Sequence, residues 1–533
     1  MAKSSSPEVP RDGKGFTATF WLLFAAVFLS AVCLHHPNTG YNVNTRLVLV
    51  FAVADQGTLT IDDYHDLEPY ATGDKAFYEG HYYSDKIFGV SLLALPFYWG
   101  MKGLWAVAGG AEPTFQQANY VLRVFAVSAP AALAASLLWL LSVRLGAAPR
   151  RALLAVGFAV FGSIFFGYAT IFMPYAPGVA AALGALYLLL YPPARRLTAR
   201  NSIAIGGLCG VALLSDLLFV FVVWGLIAVF LLRLQDQVGL WGLRAFADMS
   251  GDRTRWRGAV GIAAAGAIAG AIPLALFAAY SIAIFGSPTI PYEYEADPIF
   301  REGMAAGVMG ATLPPKAHAL WFLTLHPFRG LFFWTPVMAL AVAGLVMGVR
   351  SAGRRRLVGW LGLWVFVSYL LFNACYYMWW AGWTMGPRLL LPIWAVVPLG
   401  LAELCRRDRP RWLFAAVCVA GTVGVLLTMP LSILDPQIPQ GNPHEVLQNA
   451  TLTTDLAVPQ FVYLGAFWTG QVFERAGAWW GLRAVLSLLL PVVLIGVAWR
   501  RAPDKSVPDE RLETPFKTVD GAAAPPPPPM AVR

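Results

Sequence analysis

Apolar and polar positions fall along this chain in long blocks rather than short alternations. Residues 16–34 form an unbroken apolar run behind a basic start carrying Lys3, Arg11 and Lys14, long enough to cross a bilayer core of about 30 Å. A cleaved signal peptide would have a shorter apolar region, and Ser30-Ala31-Val32-Cys33 places Val where a lipoprotein signal needs a small residue. The run therefore predicts a retained span preceded by a cytoplasmic N-terminus, residues 1–15. Residues 87–109 are apolar but broken by Pro96, Gly100 and Lys102, whereas a second apolar run, 119–143, ends in Arg144, Arg150 and Arg151. If both crossed, these arginines would face outward, so 87–105 is expected as a helix on the outer surface and 119–143 as the returning span.

The same logic extends to the end of the chain. Two spans are expected in 152–191, turning near Pro174 and Pro177, and two in 202–232, turning at Ser215-Asp216. A single helix over the latter would be roughly 46 Å long. Further spans follow at about 258–282, 331–349, 357–374, 388–404, 411–429 and 482–499. The pattern thus predicts an all-α polytopic membrane protein with about twelve transmembrane helices, residues 16–501, and both termini cytoplasmic. Residues 502–533, with Pro525 to Pro529, are expected as a disordered cytoplasmic tail.

Composition agrees: 58% of the 533 residues are apolar, 13% are charged, and the mean hydropathy is +0.59, outside the range of soluble domains. The net charge of +9 would suggest nucleic acid were it not for its placement. Clusters such as Arg354 to Arg356, Arg406-Arg407 and Arg500-Arg501 fall in turns on one side of the expected membrane, which is topology rather than a ligand, and no nucleic-acid partner is expected. All seven histidines fall on the other side. The five cysteines form no CxxC pair and no disulfide framework. No internal repeat of the kind found in many transporters is visible.

The densest ionisable patch, residues 42–89, lies in the expected first extracytoplasmic loop (about 35–118). Asn42-Val43-Asn44-Thr45-Arg46 and the apolar residues after it predict a short interfacial helix. Asp62-Asp63-Tyr64-His65-Asp66 gathers carboxylates and an imidazole, as a solvated acidic loop does and as a divalent-metal site also would. Asp74-Lys75 and Asp85-Lys86 are sharper: each sets a carboxylate beside an ammonium near a surface helix. A lysine there can neutralise a lipid phosphate, and an aspartate can take a proton from an acceptor hydroxyl. Neighbouring surface ion pairs are the plain alternative. Arg123 at the outer start of one span and Arg388, after the aromatic run Tyr376 to Trp383, add cations at membrane depth.

An entry span, a long outer loop with carboxylates and two surface helices, and then an arginine-bearing span together resemble the C-type (GT-C) glycosyltransferase superfamily. Its relatives include protein O-mannosyltransferases and the aminoarabinose transferase that modifies lipid A. Asp85-Lys86 before Ile87-Phe88-Gly89 is similar to the acidic residue and lysine that precede the second surface helix there. Thr72-Gly73-Asp74-Lys75, Gly80-His81-Tyr82-Tyr83-Ser84, His326-Pro327-Phe328-Arg329-Gly330-Leu331-Phe332 and Gly382-Trp383-Thr384-Met385-Gly386-Pro387-Arg388 resemble further motifs of bacterial branches. Where the superfamily opens its first surface helix with an acidic pair, this chain has Asn42 and Asn44.

The resemblance implies a GT-C fold and transfer of a sugar from a polyprenyl-phosphate carrier to a glycan, lipid or protein acceptor at the outer face of the plasma (inner) membrane. It implies a catalytic base among Asp74, Asp85, Asp63 and Asp62, with Asp74 and Asp85 ranked first. Lys86, Arg123, Arg388, Lys75 and Arg46 would clamp the lipid phosphate, and Asn42, Asn44, His81 and Tyr83 would bind substrate. A phosphate held by Lys and Arg needs no metal, so no cofactor is expected, with a metal at Asp62 to Asp66 as the alternative. The remaining expected partners are membrane lipids. Tyr292, Glu293, Tyr294, Glu295, Glu302, Asp435, His444 and Glu445 are read as solvated loop residues or as sugar contacts. The rival functions are a transporter or flippase of lipid-linked substrates, disfavoured by the scarcity of charge in the middle of the spans, and a non-catalytic relative.

Overall fold

The computed structural model describes residues 13–36, 39–193, 196–238, 253–438 and 458–503. His444, Glu445 and nearly all of both expected tails lie outside the described residues.

Hydropathy blocks become helices because a bilayer offers the backbone no hydrogen-bond partner, so each crossing segment must satisfy its own. In chain order these are α1 (Gly13–Val32), α2 (Tyr41–Phe51), α3 (Gly89–Val107), α4 (Phe115–Arg144, with a π turn at Val124–Ser128), α5 (Pro149–Phe161), α6 (Tyr175–Leu190), α7 (Ala199–Ser215), α8 (Val220–Val238) and α9 (Arg253–Phe285). There follow α10 (Pro298–Ala305), α11 (Ala317–Thr324), α12 (Val337–Val349), α13 (Gly353–Cys375), α14 (Arg411–Leu434), α15 (Val458–Trp468) and α16 (Gln471–Arg501). Among the described residues eight helices are long and apolar enough to cross a membrane, and α6, α7 and α12 are shorter apolar ones. The protein is an all-α polytopic membrane protein. The eight include α3, whose length and composition also permit a crossing.

One expected span takes another form. Residues 388–404 are not one helix: Arg388–Ala395 and Val397–Gly400 are 3-10 segments, followed by a single turn. Pro392 and Pro398 lack the N–H an α-helix needs, and Gly400 lies so close to α12 that a Cβ there would strike the Ala341 carbonyl. The two spans expected in 152–191 are α5 and α6, joined by residues 162–174, which include the short helix Ile164–Tyr168. The turn expected at Ser215-Asp216 is present, with the Asp216 carboxylate accepting from Leu218 N at 2.9 Å.

Small residues let helices approach. A Cβ on Gly210 of α7 would lie 2.6 Å from the Gly270 carbonyl of α9, and Ser202 donates to Ile262 O at 2.6 Å across the same interface. Trp139, Trp394, Phe165 and Phe172 fill the core, whereas Trp21, Leu231, Ile268 and Val492 are exposed, as expected where hydrocarbon is the solvent.

Arginine-bearing turns gather at one end of the bundle. Arg150 donates to Trp499 O at 3.1 Å, Arg151 to Arg406 O at 2.8 Å and Arg354 to Leu190 O at 2.9 Å. Glu403 takes Arg355 and Arg409, each at 3.3 Å. The loop after α1 belongs to the opposite end.

That loop contains an element the hydropathy pattern does not announce, the antiparallel hairpin β1 (Lys75–Tyr78) and β2 (His81–Ser84). Glu79 and Gly80 both have positive φ, 50° and 87°, the conformation of a type I′ turn. Thr60 bridges to Tyr83 on one edge and Glu295 to Ala76 on the other.

Candidate active site

Hairpin register decides what meets what. Lys75 pairs with Ser84, so Asp74 and Asp85 flank the paired residues at the open end of the hairpin. Two like charges so placed would repel, and Lys86 resolves the conflict: its ammonium lies 3.0 Å from Asp74 and also contacts Asp85. Asp85 is wholly buried and is also bonded by Thr45 of α2 at 3.4 Å, while the Asp74 side chain keeps about a fifth of its surface. α3 begins directly after this corner. Gly89 allows the approach, since a Cβ there would collide with the Leu214 carbonyl at the end of α7.

α2 supplies the next layer. Asn42 donates to Asp74 at 3.1 Å, and Arg46 holds Asn42 through both its backbone and side-chain oxygens. The helix that opens with Asn42 and Asn44 thus reaches a carboxylate after all: the hairpin brings Asp74 to the amide of Asn42. Asn44 points elsewhere and ties down the 69–71 loop through Pro69 O and Ala71 O.

Three cations share the site. Arg46, Lys86 and Arg388 all act electrostatically on Asp216 at the turn between α7 and α8 and on Tyr175 at the start of α6. Lys86 also sits 5.2 Å from the centre of the Tyr292 ring. The Nε donors of Arg46 and Arg388 are buried without a hydrogen-bond partner, which leaves room for an acceptor to be supplied by a ligand.

Burial raises the Asp74 carboxyl, but Lys86, Arg388 and the Asn42 amide outweigh it and hold the group below the usual carboxylate range. Burial likewise opposes the Lys86 charge, and the Asp74 and Asp85 carboxylates more than reverse this and hold it well above its ordinary value.

Arg388 owes its place to the two later motifs, which pack together. Arg329 is wholly buried and donates to the carbonyls of Trp380 at 2.8 Å, Phe328 at 3.0 Å, Gly382 at 2.7 Å and Thr384 at 3.0 Å. It therefore shapes the loop that ends in Arg388.

Other sequence candidates lie outside this cluster. Arg123 is buried on α4 and spends its donors on Ala31 O at 2.7 Å, Leu34 O at 2.5 Å and Ser128 at 3.2 Å, closing the end of α1. Lys75 is bound by His65 at 2.7 Å and Asp66 at 2.8 Å. Asp62 accepts from His81 and from Tyr82 N, both at 2.7 Å, and Asp63 accepts from Gln56 at 2.9 Å. Tyr83 packs against Phe285. The Asp62 to Asp66 carboxylates are thus divided among separate partners, and among the described residues no three of His, Cys, Asp and Glu are grouped as a metal ion would need. Sequence reasoning took Asp216 only as a turn residue and Glu295 as a solvated loop residue or a sugar contact. The extra acid in Tyr292-Glu293-Tyr294-Glu295 was visible, but its partner was not.

No protein-family model matches the chain, and no curated protein matches it. Among solved structures it is similar to ArnT from Cupriavidus metallidurans in the apo state, with 15% identity and a TM-score of 0.44 over 92% of this chain and 76% of that one. It is also similar to ArnT from the same organism bound to undecaprenyl phosphate, with 15% identity and a TM-score of 0.40 over 91% of this chain and 76% of that one.

Proposed function

We propose that this chain is a membrane glycosyltransferase of the GT-C kind, moving a sugar from a polyprenyl-phosphate carrier to a hydroxyl-bearing acceptor at the extracytoplasmic face of the plasma membrane. The observation that carries this reading is the convergence of Lys86 and Arg388 on Asp74, with Arg46 holding the Asn42 that donates to it and two buried guanidinium N–H groups left without acceptors. Cations with spare donors beside one partly accessible carboxylate suit a phosphate leaving group and a nucleophile that must lose a proton.

In this reading Asp74 is the base and Asp85 the anchor. Asp74 is the accessible carboxylate, and Asp85 is wholly buried against Lys86 and Thr45. The acceptor oxygen attacks the anomeric carbon, the bond from that carbon to the phosphate oxygen breaks, and the acceptor proton passes to Asp74. Lys86, Arg388 and Arg46 receive the charge on the departing polyprenyl phosphate. As the phosphate takes up the donors that hold Asp74 ionised, the carboxylate becomes a stronger base. These side chains supply the charge stabilisation without a metal ion.

The site belongs to the end of the bundle opposite the arginine-bearing turns, which supports an extracytoplasmic position under the positive-inside rule. The test is to remove the chain from its host and compare envelope glycans, lipids and proteins by mass spectrometry. A missing sugar restored by the wild type but not by Asp74→Asn supports the reading, and an unchanged sugar complement overturns it.

A further inference from the structure

One buried acid is unused by this mechanism. Glu295 is only 4% exposed, hydrogen-bonds to Asp85, and has a second oxygen, Oε2, with no partner. Its backbone is fixed to the hairpin: Glu295 bridges to Ala76, and Ala296 N donates to Lys75 O at 2.9 Å. The carboxyl is thus presented from the 286–297 segment to the edge of β1, facing the corner where Asp85 and Lys86 emerge.

Two buried carboxyl groups can share a hydrogen bond only if one of them carries a proton. Asp85 is paired with the Lys86 ammonium, so the proton belongs to Glu295. The remaining groups facing it are Asp74 and Lys86 at the open end of the hairpin and Tyr377 in the loop after α13. Lys86 is the cation among them, and it is already shared between two aspartates. Burial and then the Asp85 charge push the Glu295 carboxyl up to about 11.

We propose that Glu295 is a proton-holding positioning residue of the phosphate site: as a neutral carboxylic acid it donates to Asp85, fixes the Asp85-Lys86 pair, and adds no negative charge where a phosphate must bind. An ionised Glu295 would give the corner three carboxylates around one lysine, and the pocket would repel the anion the other cations attract. The kinetic part of this proposal rests on the transferase reading, whereas the protonation state does not.

The test uses the full chain in detergent or nanodiscs. Infrared difference spectra of the wild type, Glu295→Gln and Glu295→Ala are recorded between about pH 6 and about pH 9. The expected result is a protonated-carboxyl band in the wild type across this range, absent from both variants. Thermal unfolding supplies a second readout. A carboxyl protonated in the fold and ionised in the unfolded chain costs stability progressively as pH rises above about 4.3. Glu295→Gln should therefore gain stability relative to the wild type with rising pH. For binding of polyprenyl phosphate, Gln should stay within about threefold of the wild type and Ala should lose about tenfold, the weight of one hydrogen bond to a charged group. Absence of the infrared band, or equal damage from Gln and Ala, overturns the proposal. Loss of transferase activity in every assay would leave the infrared result standing.

Discussion

The Lys86 ammonium lies 3.0 Å from Asp74 and simultaneously contacts Asp85, so one cation separates two carboxylates that the hairpin places at the same end. Removing it leaves both acids facing each other. Lys86→Met is expected to lower transfer by about 10²–10³-fold, the cost of losing one preorganised donor to a developing anion. It should also destabilise the fold by about 3–5 kcal/mol through the unpaired buried charge. Chemical denaturation and initial rates on the same preparation check both.

Asp74→Asn should remove the base and lower turnover by about 10²–10⁴-fold while binding of polyprenyl phosphate persists. Asn42→Ala removes the amide that orients Asp74 and frees one Arg46 donor, and about fivefold is expected from the lost hydrogen bond of ~1 kcal/mol to Asp74. A comparison of turnover with donor affinity in the two variants separates base from orienter.

Stability should fall at both ends of the pH scale for different reasons. Asp74 is held below its ordinary value, so its contribution is present above about pH 3.9 and is lost as pH falls through the folded value. Lys86 is held above its ordinary value, so its contribution is complete below about pH 10.4 and is lost as pH rises through the folded value. Thermal melts should therefore fall off at both acid and alkaline extremes, and the double variant Asp74→Asn with Lys86→Met should be flatter at each.

Arg123 and Arg329 are arginines of fold rather than chemistry. Arg329→Lys cannot span the four carbonyls of the 328–384 corner and should cost about 3 kcal/mol or more. Donor affinity should weaken with it, because Arg388 loses its support. Arg123→Lys frees the end of α1 and should lower thermal stability while changing the donor KM by less than about threefold.

Apolar blocks and arginine sidedness made the helical architecture legible, because length and charge bias are what a bilayer reads. Irregular stretches were less so: 388–404 is apolar enough to look like a span, but two prolines and a close approach to α12 break it. Adjacent residues in the site, Asp85 and Lys86, were visible from sequence alone. Asp74 meeting Lys86 was not, since that depends on a hairpin whose Glu-Gly turn is a weaker signal than Asn-Gly and whose strands are only four residues each. Arg123 shows the converse. An arginine at the mouth of a span looks like a phosphate ligand until the unpaired carbonyls at the end of α1 are seen to claim it. Glu295 is more than two hundred positions from Asp85, and no local pattern joins them.

The most direct measurement is release of free polyprenyl phosphate by the purified protein, incubated with lipid-phosphate sugars and with acceptors extracted from a host lacking the chain. Wild type and Asp74→Asn are compared at equal donor occupancy. Release by the wild type, nearly abolished in Asp74→Asn although the lipid still binds, is the predicted result. Equal release by both, or movement of the intact donor across the bilayer without any release, would contradict the account.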